Sequence, residues 1–182
     1  MQNQNDIKLG RFLSLVLRHD PAAAGITLDE NGWATVEDLL TGVRAAGWKI
    51  DQATLERIVQ ENNKKRYNFN GDSTKIRANQ GHSVEVDVEL QERQPPDVLY
   101  HGTATRFLDS IRQSGLTRQS RRHVHLSAEM ATAANVGSRH GKPVVLRVDA
   151  SAMARDGHIF WLSENGVWLC ETVPWQYISC PE

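Results

Sequence analysis

The stretch RRHVHLS, residues 121–127, alternates in character when it is read as a β-strand. Four polar residues share one face: Arg121, His123, His125 and Ser127. The other face is mainly apolar and can pack into a core. At about 3.3 Å per residue, the polar face is roughly 20 Å long. Cationic and imidazole groups on such a face suit the wall of an anion site. A metal site, a phosphate site and a solvated strand face all remain possible at this point.

Composition bounds the class of protein. The chain has 182 residues, enough for one well-buried domain or two small ones. Hydrophobic residues make up 40% and charged residues 24%, as is usual for a globular protein. With a net charge of −1, contact with nucleic acid has to come from local basic clusters. There is no membrane-length apolar run and no signal-peptide pattern. Two cysteines, Cys170 and Cys180, are too few for a disulfide framework, so we expect a reduced, cytoplasmic protein in which Cys170 is buried and inert.

The first half of the chain reads as three helices followed by a hairpin. Apolar residues follow helical spacing over 9–17, and Thr35 and Asp51 are placed to cap a second and a third helix. The stretch 66–77 alternates around an Asn-Gly turn, which predicts a β-hairpin. Three helices and a hairpin are typical of a winged-helix module.

The second half reads as a mostly β domain. Alternating valines over 84–88 predict one strand, and a polar segment with two prolines then places the domain boundary between residues 92 and 93. The predicted domains are 1–92 and 93–182. Further strands are predicted at 98–101, 123–127, 144–148, 158–161 and 167–170, with helices at 105–114 and 128–136 that end at Gly115 and Gly137. The fold class is therefore α+β, with an N-terminal winged-helix lobe and a C-terminal mixed β lobe.

Two basic clusters lie in the first half. Arg18 and His19 follow the first helix, where the helix dipole also favours cations, so a purely structural role is an equal alternative. Arg66 closes the basic run 64–66, which is either a solvated patch or a contact for a polyanion.

Two more candidate sites lie in the second half. His101, Gly102 and Thr103 follow a predicted strand, where a glycine lets backbone N–H groups approach a ribose or a phosphate; an ordinary strand-to-helix turn is the alternative. Arg139 lies in the glycine-flanked loop 137–141, which is either a surface turn or a phosphate-binding loop.

These clusters argue for anion binding. His-x-His is a zinc pattern, but a third ligand is missing and Arg121 on the same face would repel a cation. A guanidinium instead grips phosphate through two hydrogen bonds. The sequence contains no serine-nucleophile, P-loop or dinucleotide motif. A site of this kind stabilises anions, and the substrate itself can supply the nucleophile.

Six short motifs occur here in the order and spacing found in RNA 2′-phosphotransferases of the KptA type, which the chain resembles over essentially its whole length. They are LRHDP (17–21), KRY (65–67), YHGT (100–103), RxHVHLS (121–127), VGSRHG (136–141) and NGVW (165–168). The resemblance implies a winged-helix lobe for RNA and a lobe of the ADP-ribosyltransferase type for NAD. It implies removal of an internal RNA 2′-phosphate at the expense of NAD, through a 2′-phospho-ADP-ribosylated RNA. The products are RNA with a 2′-OH, ADP-ribose 1″,2″-cyclic phosphate and nicotinamide.

The resemblance also implies residue roles. The catalytic residues would be Arg18, His19, Arg66 and Arg121. The family arginine lies two residues before the first histidine of His-x-His, which selects Arg121 over Arg122. The NAD pocket would contain His101, Gly102, Thr103, His125 and Ser127. Arg139 is a further candidate for a phosphate of the substrate or the cofactor. A glutamate that activates a neutral acceptor is less needed when the acceptor is a phosphate, so Glu171 is left out of the site.

We therefore expect a cytoplasmic, monomeric enzyme that acts on RNA with an internal 2′-phosphate, consumes NAD and needs no metal or membrane. Two rival hypotheses remain. One is a nucleic-acid-binding winged-helix protein with a nucleotide-sensing domain and no activity. The other is an ADP-ribosyltransferase of nucleic-acid phosphates that stops at the first step. The role of His123 and the origin of the 2′-phosphate, splicing or repair of damage, stay open.

Overall fold

The computed structural model of the protein describes residues 4–180. The chain divides into two compact units, Met1–Glu89 and Leu90–Glu182. The sequence predicted this boundary after residue 92. The difference has a simple cause, because Gln91 and Glu92 form a short strand that pairs with Trp161–Leu162 and so belong with the second unit.

The first unit contains three α-helices, α1 (Gln4–Val16), α2 (Val36–Ala45) and α3 (Gln52–Gln60). The predicted caps are confirmed. The Oγ1 atom of Thr35 accepts a hydrogen bond of 3.1 Å from the Asp38 N–H, and the Oδ1 atom of Asp51 accepts one of 2.8 Å from the Thr54 N–H. Each cap satisfies a backbone donor that the helix leaves unpaired. The apolar faces of the helices form one core that includes Leu13, Leu39 and Leu55.

A three-stranded antiparallel sheet completes the first unit. Its strands are β1 (Trp33–Thr35), β2 (Tyr67–Phe69) and β3 (Lys75–Ala78), in the order β1-β3-β2. The predicted hairpin joins β2 to β3, but its loop is longer than a two-residue turn, since the Asn70 N–H still donates to the carbonyl of Lys75 at 3.0 Å. The mixed α+β class is confirmed, and the winged-helix assignment stays a prediction.

The strand predicted over 84–88 is wrong. This stretch forms no ladder: residues 83–85 make a bend, and the Asp87 N–H donates to the carbonyl of Glu30 at 2.8 Å. Val86 is buried, while the residues on either side of it are exposed. The valines therefore alternate in burial with exposed acids outside any sheet, and the sequence pattern alone cannot distinguish this from a strand.

The second unit consists of short antiparallel strands and short helices. The strands are β4 (Gln91–Glu92), β5 (Val98–Ala104), β6 (Leu116–Thr117), β7 (Val124–Leu126), β8 (Pro143–Asp149), β9 (Trp161–Leu162), β10 (Trp168–Cys170), β11 (Thr172–Val173) and β12 (Ile178–Ser179). The helices are α4 (Leu108–Ser114), α5 (Met130–Gly137) and α6 (Ala150–Arg155). Sequence analysis did not predict α6.

Three sheets carry these strands, in the orders β4-β9-β10-β7, β12-β8-β5 and β11-β6. Tyr100 and Ser127 link the first two sheets, since each N–H donates to the other residue's carbonyl at 2.8 Å. The core of the unit includes Val124, Leu126 and Cys170. Cys170 is buried, as predicted, and burial raises the pKa of its thiol to about 12. Between residues 4 and 180, the structure shows no helix with the length and apolar character that crossing a membrane requires.

Several strands differ in extent from the prediction: the one predicted over 158–161 is only Trp161–Leu162, and β5 and β7 differ where the candidate residues lie. Strand β5 continues to Ala104, so residues 101–103 lie within the strand and not in a turn after it. Strand β7 begins only at Val124. Before it, the Arg121 N–H donates to the carbonyl of Arg118 at 3.0 Å, so 118–121 is a turn. The strict alternation that was predicted for 121–127 therefore does not reach the two arginines.

Two glycines allow α5 to lie directly on β5. A Cβ atom on Gly102 would lie 1.7 Å from the carbonyl oxygen of Ala133, and one on Gly137 would lie 2.6 Å from the carbonyl oxygen of Thr103. The helix ends at Gly137, as predicted, and a 3-10 turn follows it. Close packing is thus a sufficient reason for both glycines, and a role of Gly102 toward a ligand stays a prediction.

Candidate functional site

The first unit brings Arg18 and Arg66 together. Arg18 follows the end of α1, and its Nη2 atom donates a long hydrogen bond of 3.5 Å to the carbonyl oxygen of Arg66. Both side chains are half-buried. The two guanidinium groups also act on the same neighbour, Tyr67. Burial is the main cause that raises the pKa of the Tyr67 hydroxyl, and a hydrogen bond with Ser14 and the charges of Arg18 and Arg66 oppose it. Two cations in one place suit a phosphate.

Two buried amides shape the loop that carries Arg66. The Oδ1 atom of Asn62 accepts from Arg66 Nη1 at 3.2 Å and from the Lys64 N–H at 3.1 Å. Asn79 Nδ2 donates to the carbonyl of Lys65 at 2.7 Å, and the Asn79 N–H donates to the carbonyl of Arg66 at 2.9 Å. Sequence analysis missed both asparagines, because nothing in their spacing separates them from ordinary turn residues.

His19 is exposed at the same helix end. Its Nδ1 atom lies 3.0 Å from the hydroxyl oxygen of Ser83. The N–H groups of Ser83 and Val84 both point to the carbonyl of Arg18, at 2.9 and 3.3 Å. The segment after the hairpin therefore folds back on the end of α1, where Ser83 contacts the imidazole.

In the second unit, the backbone fixes His101. Its Nδ1 atom lies 3.0 Å from the carbonyl oxygen of His125. Because a carbonyl only accepts, Nδ1 carries the proton, and the other nitrogen, Nε2, is an acceptor in the neutral ring. Burial lowers the pKa of His101 most; the hydrogen bond to His125 raises it, and the charges of Arg121 and His140 lower it further. The ring is therefore held as a neutral hydrogen-bond acceptor.

The neighbours of the two arginines at 121 and 122 differ. The charge of Arg121 acts on His101, whereas that of Arg122 acts on His123. Strand alternation cannot decide which of the two arginines faces the site, because both precede β7. Their electrostatic neighbours separate them instead, and Arg121 is the one beside His101.

The other predicted residues of the second unit lie in β5 and β7 or in the segments that follow β7 and α5. Thr103 is buried in β5, and Ser127 is bridged to Tyr100 directly beside His101. His125 is half-buried in β7. Arg139 is exposed in a 3-10 turn, Ser138–His140, after α5. Its neighbour His140 acts on the pKa of His101 and was missed, although it belongs to the loop motif that was singled out.

Acidic residues are few around β5 and β7, and this bears on both Glu171 and metal binding. Glu171 is exposed beyond β10, and its charge raises the pKa of His123, against burial and the charge of Arg122. Throughout residues 4–180 the structure places no three His, Cys, Asp or Glu residues together as metal ligands. The described side chains around His101 are instead cationic or neutral donors and acceptors, which can bind phosphate and ribose groups.

Comparison with known proteins gives one consistent family. A family model described as RNA 2′-phosphotransferase, Tpt1 / KptA family, matches residues 4–172. A probable RNA 2′-phosphotransferase of Fusobacterium nucleatum is 54% identical over 176 residues, which covers 96% of this chain and 98% of the relative. Similar proteins of the same description come from Hahella chejuensis, 53% identical with 93% and 91% covered, and Flavobacterium johnsoniae, 50% identical with 97% and 98% covered.

Proposed function

The chain belongs to the Tpt1/KptA family of RNA 2′-phosphotransferases, and from that premise we propose that it transfers an internal 2′-phosphate of RNA to NAD. In the first step a phosphate oxygen attacks C1″ of the NAD ribose and nicotinamide leaves, which gives a 2′-phospho-ADP-ribosylated RNA. In the second step the ribose O2″ attacks the phosphorus. The bond to the RNA 2′-oxygen breaks, and the products are 2′-OH RNA and ADP-ribose 1″,2″-cyclic phosphate.

The observation that carries this proposal is the contact between His101 and the carbonyl of His125, beside Arg121. A neutral imidazole with Nε2 as acceptor suits a ribose hydroxyl, which donates, and a neighbouring guanidinium suits the phosphate that reacts next to that ribose. Thr103 and Gly102 in β5, His125 in β7 and Ser127 directly after β7 would complete the NAD pocket.

The arginines supply the electrostatic part of the mechanism. Arg18, Arg66 and Arg121 would bind the non-bridging oxygens of the transferred phosphate and spread its charge as the phosphorus is attacked. A phosphate dianion is itself a nucleophile, so the first step needs no protein base. In the second step, the proton on O2″ has to reach the departing RNA 2′-oxygen, and His19 is the group that would carry it.

The remaining assignments rest on the same premise. The first unit, with its three helices and three-stranded sheet, would bind RNA as a winged-helix lobe, and the second would bind NAD as a lobe of the ADP-ribosyltransferase type. Arg139, exposed in its 3-10 turn, would bind a phosphate of RNA or NAD. The enzyme would work in the cytoplasm as a monomer and without a metal, in tRNA splicing or in RNA repair.

The deciding experiment uses the full chain and a short RNA with one internal 2′-phosphate, with and without NAD. Chromatography and mass spectrometry should show 2′-OH RNA together with ADP-ribose 1″,2″-cyclic phosphate, in the NAD reaction only. Accumulation of ADP-ribosylated RNA without release would instead identify an ADP-ribosyltransferase that stops at the first step. Dephosphorylation that is independent of NAD, or no reaction with either mixture, would refute the proposal.

A further inference from the structure

One side of the four-stranded sheet carries an aromatic pair that the proposed reaction does not use. Trp161 in β9 lies opposite Leu169 in β10, and Leu169 lies opposite His125 in β7. Cross-strand partners share a face of a sheet, so Trp161 and His125 lie on the same side. The ring of His123, two residues before His125, lies 5.1 Å from the ring of Trp161. Both rings are half-buried.

The opposite side of this sheet needs no help from the pair. The side chains of Val124, Leu126 and Cys170 point there and belong to the core of the unit. The pair of His123 and Trp161 is therefore not a requirement of that core. On the side that carries His125, Leu169 is buried, while the rings of His123 and Trp161 stay partly exposed.

Two arginines lie beside this aromatic surface. Arg118 and Arg122 are exposed and come from the turn that precedes β7. Both charges reach His123: burial lowers the pKa of its imidazole most, Arg122 lowers it further, Glu171 raises it, and Arg118 lowers it. Two cations and one carboxylate therefore act on His123, and this net positive surrounding favours an anion.

The chemistry of this cluster matches single-stranded RNA. Proteins bind unpaired nucleotides by stacking a base on an aromatic ring and by meeting the neighbouring phosphate with arginine or lysine. Exposed arginines in a turn suit a polymer that crosses the surface better than a small, enclosed cofactor. The neighbouring Arg121 acts on His101, so the cluster adjoins the proposed reaction site and is distinct from it.

We propose that Arg118, Arg122, His123 and Trp161, which we call the His123–Trp161 patch, bind an RNA nucleotide that flanks the 2′-phosphate. A base stacks on Trp161, and the adjoining backbone phosphate contacts Arg118 and Arg122. This inference rests on the proposed function for the identity of the substrate as RNA. It gives the second unit its own contact with RNA and assigns a role to His123.

The test separates KM for RNA from KM for NAD. Trp161→Ala and the double variant Arg118→Ala/Arg122→Ala should each raise KM for the 2′-phosphorylated RNA about tenfold or more, with KM for NAD and kcat nearly unchanged. Each arginine removed should also reduce the salt dependence of RNA affinity by about one unit of slope. Arg155→Ala, which removes an exposed arginine at the end of α6, is the matched control and should change none of these values.

A fluorescence experiment gives a second readout that a merely structural role would not move. The chain has five tryptophans, and stacking of a base on one of them should quench part of the emission when the RNA is added without NAD. Trp161→Phe, which keeps a ring, should remove this quenching and raise KM for RNA only a few-fold. Circular dichroism reports whether each variant folds. If Trp161→Ala does not fold, the double variant Arg118→Ala/Arg122→Ala provides the test.

Three outcomes would overturn the inference. They are an unchanged KM for RNA in the folded variants, a rise in KM for NAD alone, which would place the patch in the NAD pocket, and quenching that survives Trp161→Phe. The RNA titration needs no turnover. If the wild-type protein binds the RNA through the patch but shows no NAD-dependent reaction, the proposed function fails and the RNA contact stands.

Discussion

In the first unit, the carbonyl of Arg66 accepts a hydrogen bond from the guanidinium of Arg18; in the second, the carbonyl of His125 accepts one from the imidazole of His101. A guanidinium stays charged whatever it touches, so in the first case the backbone orients a cation. An imidazole can lose its proton, and burial together with the charges of Arg121 and His140 keeps it neutral. The same backbone group thus holds a positive charge in one unit and a neutral acceptor in the other.

The difference teaches how the two units suit two different groups of an anionic substrate. A transferred phosphate needs cationic groups that stabilise the negative charge as it develops on the phosphoryl oxygens. The ribose of NAD needs a partner for a neutral hydroxyl, and a further cation would add nothing there. Loss of a guanidinium and loss of the neutral imidazole should therefore have different consequences.

The largest effect is expected where the positive charge is removed. Arg18→Ala and Arg121→Ala should each lower kcat at least about 10²- to 10³-fold, because a lost donor to a developing charge costs about that much. The fold should survive, since Arg121 is exposed and Arg18 is only half-buried. Turnover of the 2′-phosphorylated RNA and circular dichroism check the two statements.

Arg18→Lys sharpens the same test. A lysine keeps the charge but loses the planar fork that binds two phosphate oxygens, so it should recover only a small part of the lost rate. Arg155→Ala is the control for loss of an exposed arginine. Normal turnover by either alanine variant would mean that the phosphate is bound elsewhere.

His19→Ala should divide the reaction into its two steps. The first step needs no protein base, so ADP-ribosylated RNA should still form, and it should accumulate because proton transfer in the second step has lost its carrier. Gel analysis of the RNA over time separates the substrate, the intermediate and the product. If this variant fails to form the intermediate at all, His19 acts in the first step, and the proposed division of roles is wrong.

A smaller effect is expected in the neutral half. The pKa of His101 is lowered in the folded protein, so the unfolded chain binds more protons near and below pH 6.5. The stabilisation that neutral His101 provides is therefore present above about pH 6.5, and it is lost as the pH falls toward the lowered pKa. Urea unfolding between pH 5 and 7.5 measures this loss.

His101→Gln is the matched variant, because glutamine also offers a donor and an acceptor but does not titrate. Its stability should vary less with pH over the same range, while KM for NAD rises several-fold. An NMR titration of the wild-type ring that gave a pKa above 6.5 would contradict the assignment of a neutral acceptor.

The smallest effect is expected for a residue that acts through Arg66. Asn62→Ala removes the Oδ1 atom that orients this guanidinium and should lower kcat a few-fold, with a loss of about 1–3 kcal/mol in the free energy of unfolding for the buried polar contact. Asn63→Ala, at the exposed neighbouring position, is the control. Raising the stability of the Asn62 variant with an osmolyte should leave its low kcat unchanged if orientation is the cause.

The sequence predicts much of the first unit, because the signals there are local. Thr35 and Asp51 are recognisable as caps, since each needs only its own side chain and a backbone N–H three residues ahead. Helix periodicity over many residues adds to this. The second unit depends on pairing between distant, very short strands. The two-residue strands β6, β11 and β12 have too few side chains to show an alternation, and they were not predicted.

The candidate site divides in the same way. Motif order pointed to Arg18, Arg66 and His101, and the structure adds the contacts that orient them. Which nitrogen of His101 carries the proton, and which of Arg121 and Arg122 lies beside it, follow from tertiary contacts that no spacing encodes. Asn62 and Asn79 were invisible for the same reason.

The close contact between β5 and α5 bears on how a scan of all single substitutions would read. Gly102 and Gly137 have no room for a Cβ atom, because backbone carbonyls of Ala133 and Thr103 occupy those places. In a library selected for activity, substitutions at both glycines should be as depleted as substitutions of the proposed catalytic arginines, although the reason at the glycines is steric. Abundance of folded protein would tell the two classes apart: the glycine variants should disappear from the soluble pool, and the arginine variants should remain in it.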